Sequence, residues 1–135
     1  MDTIRGFKLR WLHQAAGDAT YQLARLQFTQ LAPYRWHPAI NAFQCDKGLR
    51  ICVDLAGVDR SQVELVVEPQ RLTIRGTREA PEPTDAEGRA VQMIAFEIDY
   101  GPFERIVALP LPVEVDRARA EQRNGFLWIE LPFQK

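Results

Sequence analysis

The sequence has few of the residues that build catalytic or metal centres. Its 135 residues include two cysteines, two histidines and, at Ser61, a single serine. A pair of cysteines is not a disulfide framework, and the spacing of seven between Cys45 and Cys52 fits no zinc finger or ribbon. There is no glycine-rich phosphate loop, and nothing marks the orienting group that a Cys–His nucleophile pair needs. These absences predict a protein that is not an enzyme and binds no metal or other cofactor.

An excess of one charge is also missing. The net charge is −1, and the arginines are interleaved with acids so that no cationic face is evident, which argues against a dedicated nucleic-acid binder. The first residues contain no long apolar run, so we expect neither a signal peptide nor a membrane span. A basic and aromatic stretch there is too irregular for an interfacial helix. We therefore predict a cytoplasmic protein without a nucleic-acid partner or a stable membrane anchor.

The chain changes character near residues 33–38. Before this point it is rich in Ala, Gln and Leu, with an imperfect 3.6-residue apolar period that Asp18 can cap and Pro33 ends. An ordinary packed helix is one interpretation of this pattern. Because several more apolar and aromatic residues lie upstream, we favour a partly helical or flexible apolar arm over residues 1–37.

After residue 38 the apolar period becomes two, which is typical of half-buried antiparallel strands. The predicted strands cover 40–45, 49–56, 62–68, 71–78, 92–99, 103–110, about 117–121 and 126–132. Pro69-Gln70 and Asn124-Gly125 predict tight hairpin turns, and the polar stretch 79–89 predicts a solvated loop. Many short strands separated by turns indicate an all-β antiparallel sandwich over residues 38–135.

Three segments of this region resemble the α-crystallin domain of bacterial-type small heat-shock proteins. The segment VDLAGVDRSQVELVVEPQRLTIRGTRE follows the strand order of that family, and YGPFERIVALP is similar to its Gly-x-Phe-x-Arg…Leu-Pro segment. The segment ARAEQRNGFLWIELP is similar to its Ala-x-x-x-Asn-Gly-Val-Leu motif, with Phe126 where valine is usual. The resemblance covers about the last hundred residues.

The resemblance implies an immunoglobulin-like sandwich with a dimerisation loop at about 79–94. It also implies an ATP-independent holdase, which binds partly unfolded proteins through flexible apolar contacts and unpaired strand edges and delays their aggregation. The alternative is a non-chaperone interaction module of the CS-domain type, which uses the same sandwich to dock on a larger chaperone. The Asn124-Gly125 motif and the apolar arm favour the holdase.

The same resemblance suggests which residues meet the partners. Unfolding clients would contact apolar residues of the arm, namely Phe7, Leu9, Trp11, Leu12, Tyr21, Leu23, Leu26, Phe28 and Trp36. In the family, a strand of the long loop crosses to the first strand of the partner in a homodimer. The corresponding interface residues here are Ile40, Ala42, Met93, Ile94 and Arg105.

In the family, a groove between the strands at 63–67 and 117–121 accepts an Ile-x-Ile/Val motif from a neighbour's C-terminal extension. The groove residues here would be Val63, Leu65, Val67, Ala118 and Ala120. Because the sequence ends at Lys135, four residues past Leu131, we predict that it lacks this extension. We expect dimers or small assemblies held by the arm, with an unfilled groove that could accept the tail of a tail-bearing relative.

Arg105 is the one basic residue in the middle of an apolar strand, on the same face as Phe103 and Val107. A buried guanidinium without a partner is costly. Arg105 therefore either meets solvent or pairs with a carboxylate near the dimer interface, with Asp54 and Glu97 as candidates.

The segment QMIAFEID departs from the family, which usually has basic and polar residues at this place. Its alternating apolar residues are Ile94, Phe96 and Ile98. We expect these side chains to be buried against the sandwich, with an added apolar dimer contact as the alternative.

Overall fold

The computed structural model describes residues 8–11, 35–80, 87–89 and 92–135 of the chain. The strands in these ranges are β1 (Lys8–Trp11), β2 (Ile40–Gln44), β3 (Gly48–Asp54), β4 (Val63–Glu68), β5 (Arg71–Arg78), β6 (Gly101–Ala108), β7 (Arg119–Arg123) and β8 (Phe126–Pro132). They form two four-stranded sheets, with the orders β1-β4-β5-β6 and β2-β3-β8-β7. All strand pairs are antiparallel except β1, which runs parallel to β4. The predicted all-β sandwich is confirmed.

Helical structure in the described ranges is limited to two short 3₁₀ turns, Arg60–Gln62 and Val115–Arg117. No helix in those ranges is long and apolar enough to span a membrane. The predicted helical part of the arm lies outside the described residues.

The core lies between the two sheets and is built by the alternate apolar positions of each strand. Leu49, Ile51 and Val53 of β3 face the same interior as Leu127, Ile129 and Leu131 of β8, and all six are buried. Because a strand alternates its faces, the intervening residues of β3 and β8 lie on the outer face of their sheet. The observed core therefore follows from the period of two in the sequence.

The predicted turns are present at the predicted positions. Pro69 and Gln70 connect β4 to β5, and Asn124 and Gly125 connect β7 to β8. Asn124 and Gly125 have φ angles of 53° and 82°, as a type I′ hairpin turn requires, and Asn and Gly adopt positive φ more readily than other residues. These turns hold β5 and β8 in register with their neighbours.

The sequence pattern predicts that the sandwich starts at residue 38. In the structure, residues ahead of this position already pack into it. Trp36 is buried, forms a bridge with Phe103 of β6 and belongs to the core cluster. Its amide N donates to the carbonyl oxygen of Pro102 at 3.2 Å, and the amide N of Glu104 donates to the carbonyl oxygen of Trp36 at 3.1 Å. The segment beginning at Arg35 therefore extends the sheet at the β6 edge.

Candidate functional site

The free edge of β2 is the first candidate interaction surface. β2 pairs with β3 along one side, and in the described part of the chain no strand pairs with its other side. Ile40 packs against the core, whereas the side chains from Asn41 to Gln44 are exposed, including Phe43. An open strand edge can accept another extended segment by backbone hydrogen bonding.

The segment 92–100, which leads into β6, is the second surface. The prediction of a strand at 92–99 is wrong for this chain, because these residues form no ladder. The predicted burial of Ile94, Phe96 and Ile98 is also wrong, since their exposed fractions are 97%, 59% and 60%. Met93 is exposed as well. Contiguous exposed apolar side chains of this size mark an interaction surface.

Arg105 lies on β6, opposite Ile74 of β5, and is half-buried. Its Nη1 donates to the carbonyl oxygen of Pro38 at 3.4 Å, just ahead of β2. Among the contacts of the described residues, no ion pair joins Arg105 to Asp54 or Glu97. Because the side chain is half-buried, its guanidinium can reach both a carbonyl oxygen and solvent. An arginine can therefore occupy this position without a carboxylate partner in the same chain. A carboxylate partner in a dimer stays a prediction.

Glu104, the residue before Arg105 in β6, forms a buried ion pair with Arg35. Arg35 Nη1 lies 3.3 Å from Glu104 Oε2, and both side chains are less than one-tenth exposed, at 8% and 7%. Nδ1 of His37 donates to the carbonyl oxygen of Glu104 at 2.6 Å. These contacts hold Arg35 and His37, which precede β2, against Glu104 of β6, the neighbour of Arg105.

Trp36, one of the predicted client-contact residues, has a buried side chain that is only 6% exposed, and its contact with clients stays a prediction. Its indole Nε1 donates to the carbonyl oxygen of Gly101 at 3.1 Å. The guanidinium of Arg78 lies 4.2 Å from the centroid of its ring, and Phe103 packs against it with ring centroids 5.1 Å apart. The sequence did not predict this core position, because Trp36 lies between the apolar arm and Pro38, outside the alternating pattern of the strands.

The predicted groove residues are all buried in the single chain. Val63, Leu65 and Val67 of β4 are fully buried in the core cluster, and Ala118 and Ala120 are buried too. The edge of β4 carries β1 of the same chain along its backbone. The groove, and its filling by the tail of a relative, stay predictions.

The other predicted residues have mixed placements. Ala42 is exposed on the open edge strand β2, which is compatible with its predicted interface position. Leu9 and Trp11 lie in β1. The client-binding predictions that lie outside the described residues are Phe7, Leu12, Tyr21, Leu23, Leu26 and Phe28.

The two cysteines are free and differ in environment. Cys45 is exposed after β2, whereas Cys52 is buried on β3. Burial, and then the neighbouring Asp54 carboxylate, raise the pKa of the Cys52 thiol, which keeps it protonated and unreactive. Cys52 is therefore a packing residue.

The comparisons with known proteins agree on one family. The model of the Hsp20/alpha crystallin family matches residues 42–135. Spore protein SP21 of Stigmatella aurantiaca is 30% identical over 100 residues, which make up 74% of this chain and 57% of that protein. Small heat shock protein C2 of Rickettsia felis is 28% identical over 95 residues, or 70% of this chain and 59% of that protein. The chain thus matches less than two thirds of the length of either relative.

A solved structure gives the same result at the level of the fold. The hspA protein of Xanthomonas axonopodis superposes with a TM-score of 0.64 and 32% sequence identity, covering 75% of this chain and 97% of that chain. Because the family model spans more than half of the sequence, and because the two-sheet architecture agrees with a solved relative, the chain belongs to the Hsp20/alpha crystallin family.

Proposed function

We propose that the protein is an ATP-independent holdase that binds partly unfolded proteins and slows their aggregation. The observation that carries this proposal is the match of residues 42–135 to the Hsp20/alpha crystallin family, on a chain whose arm is rich in apolar residues. Unfolding proteins expose apolar side chains and unpaired backbone. Apolar residues of the arm can bind such side chains through many weak contacts, without making or breaking a covalent bond. The family match does not favour a CS-type docking module.

The function can be tested by complex formation with a heat-labile protein, measured by size-exclusion chromatography after heating without nucleotide. We expect the client and the chain to elute together in a soluble complex. An arm variant with Phe7, Leu23, Leu26 and Phe28 replaced by serine should retain severalfold less client, because many weak apolar contacts are lost together.

The matched control for the arm variant replaces polar residues of the same arm with serine, at Gln14, Gln22, Gln27 and Gln30. It should hold as much client as the unmodified chain. If both variants retain equal amounts of client, the apolar residues of the arm do not contribute to client binding. Absence of any soluble complex with the unmodified chain would refute the holdase.

We also propose that the unit of assembly is a homodimer formed by the loop at about 79–94 of one protomer and β2 of the other, with the apolar residues up to Ile98 adding to the contact. The alternation of Ile94, Phe96 and Ile98 suits a strand that has one buried face once it pairs. The open edge of β2 offers the complementary backbone groups, with Ile40 at its start and Ala42 at its centre. Pairing would cover apolar side chains that solvent reaches in the single chain.

Arg105→Gly is expected to weaken this dimer roughly ten- to a hundredfold while the monomer stays folded, because one charge-assisted hydrogen bond at the interface is worth about 1.5–3 kcal/mol. Sedimentation velocity gives the dimerisation constant, and thermal unfolding gives the stability of the monomer. Arg119→Gly, at an exposed position on β7, controls for the flexibility that glycine adds to a strand. An Arg105→Gly dimer as tight as the Arg119→Gly dimer would contradict the interface role.

We place the protein in the cytoplasm, with unfolding proteins and a second copy of itself as partners. Two free thiols on a small sandwich support a reducing compartment. A net charge of −1 does not favour a nucleic-acid partner.

A further inference from the structure

The sheet β1-β4-β5-β6 has an outer face, which points away from the second sheet. Because a strand alternates its faces, the residues between the core positions of β4, β5 and β6 lie on this outer face, and such a face of an antiparallel sheet is commonly solvated. Here Val66 and Thr73 are fully buried, and Glu68 and Glu104 are only 2% and 6% exposed. Val66 does not belong to the core cluster between the sheets. The second sheet lies on the opposite side, so this burial requires another segment on the outer side.

The burial on this face follows a diagonal. It starts at Glu68 and Val66 at the end of β4, passes over Thr73 in β5 and reaches Glu104 near the start of β6. The corner that the diagonal misses holds Ala108 of β6, which is exposed. We call the four buried residues on this diagonal the covered strip.

The chain itself is attached at two opposite corners of this sheet. β1 ends at Trp11, opposite Val67 near the end of β4. The next described part of the chain begins just before Trp36, which bridges Phe103 at the free edge of β6, near its start. β4 and β6 run in the same direction, because both are antiparallel to β5. The two ends of residues 12–34 therefore lie at the two ends of the diagonal that the covered strip follows.

The segment 12–34 has the reach to cross the sheet. The two corners are about four strand spacings apart across the sheet and about four residues apart along the strands, or roughly 25 Å. The segment has 23 residues, which span about 35 Å even at the rise of an α-helix. Its connection from one corner to the other can therefore pass over the outer face.

The charges of the covered strip also fit this segment. Both acids of the strip have arginine partners, since Glu68 pairs with Arg71 and Glu104 pairs with Arg35. The strip therefore offers apolar surface without an unbalanced charge. Residues 12–34 contain one carboxylate and one arginine among several leucines and aromatics, which matches such a surface.

The hydroxyl of Thr73 gives a separate indication. Within the ranges that the structure describes, this fully buried oxygen has no hydrogen-bond partner. Buried polar groups are nearly always paired. A covering segment with amide and hydroxyl side chains can supply the partner, and residues 12–34 contain four glutamines and two threonines.

We infer that the covered strip is an interaction surface and that residues 12–34 of the same chain are its occupant. The contact is made by the outer face of the sheet, so it is separate from the edge of β2 and from the predicted groove. It holds apolar residues of the arm on the sandwich of their own chain. The inference does not depend on holdase activity.

Thiol modification in the full chain tests whether the strip is covered. In a Cys45→Ser background, iodoacetamide modification of Thr73→Cys is compared with that of Ala108→Cys, which lies on the same face beside the strip, and peptide masses identify each site. We expect Thr73→Cys to react about tenfold more slowly or less, because a covered thiol reacts only when its cover opens. Cys52, buried on β3, stays unmodified as long as the sandwich is intact.

Substitutions in the arm test which segment is the occupant. Leu23→Ser combined with Leu26→Ser removes apolar contacts, and it should speed the modification of Thr73→Cys roughly tenfold while that of Ala108→Cys stays the same. The matched control replaces two polar residues of the same segment with serine, at Gln22 and Gln27, and should leave Thr73→Cys protected. Because the occupant is covalently attached, the protection should not change when the protein is diluted.

A reciprocal experiment changes the strip and reads the arm. Thr73→Glu places an unpaired charge on the covered strip, which disfavours an apolar occupant. We expect trypsin to cleave after Arg25 severalfold faster in this variant than in the unmodified chain. Ala108→Glu, beside the strip, should leave the cleavage rate unchanged.

Each of the opposite results would overturn the inference. If Thr73→Cys reacts as fast as Ala108→Cys, the strip is not covered. If the arm substitutions leave Thr73→Cys protected, or if Thr73→Glu leaves cleavage after Arg25 unchanged, residues 12–34 are not the occupant. If the protection is lost on dilution, the occupant belongs to a second copy of the chain.

Discussion

Trp36→Ala is expected to lower the free energy of unfolding by about 3–5 kcal/mol, the usual cost of removing a buried tryptophan. The side chain is 6% exposed and fills the core beside Phe103. Its indole N–H also satisfies the carbonyl oxygen of Gly101, which the substitution leaves without this donor. Urea unfolding followed by far-ultraviolet circular dichroism measures the change.

Trp128→Ala is the matched control, because Trp128 lies half-buried on the outer face of β8, with the guanidinium of Arg50 4.5 Å from its ring centroid. Its loss should cost about 1 kcal/mol, near the average for point substitutions. If Trp36→Ala costs no more than Trp128→Ala, Trp36 is not a core residue. The sandwich would then begin at residue 38, as the sequence pattern suggested.

Leu127→Ala is expected to lower the free energy of unfolding by about 2–5 kcal/mol, because the side chain is fully buried in the core and its removal leaves a cavity. It pairs with Val53 of β3 and Gln122 of β7, so both neighbours hold the backbone in place. The measurement is the midpoint and slope of urea unfolding, interpreted with a two-state model.

The neighbouring substitution Phe126→Ala provides the contrast within one strand. Phe126 is 44% exposed and lies on the opposite face of β8, so its removal should cost far less than the loss of Leu127 despite the larger side chain. A larger loss at Phe126 than at Leu127 would mean that the faces of β8 are reversed.

Much of the fold could be predicted from the sequence because most strands have one buried face. The period of two in 126–132 and 71–78 placed β8 and β5 at their observed bounds. Asn124-Gly125 predicted its hairpin because the turn is specified locally by two residues with positive φ. In β5, β8 and this turn, the residues that favour the local conformation are also the residues that the packed fold needs at those positions.

The segment 92–99 shows the limit of that reasoning. Its alternation is as regular as that of β5, yet a strand needs a neighbour to supply its hydrogen bonds. The single chain offers none to these residues in its described part. The apolar period indicates which face of a segment can be buried. It does not indicate whether the strand that pairs with this segment belongs to the same chain.

Other features had no local signal. β1 is four residues long and runs parallel to a strand more than fifty positions later, so no nearby residue specifies it. Gly76 lies so close to the carbonyl oxygen of Gln62 that an added Cβ would clash with it, and this close approach arises only after folding. Long-range contacts of this kind cannot be deduced from residue types within one segment.

The most direct test of the proposed function is light scattering from a heat-labile protein, at increasing molar ratios of this chain, with and without ATP. The account predicts that scattering falls progressively as the two proteins approach equimolar amounts, and that ATP changes nothing. Unchanged scattering at a molar excess of the chain, or suppression that requires ATP, would contradict it.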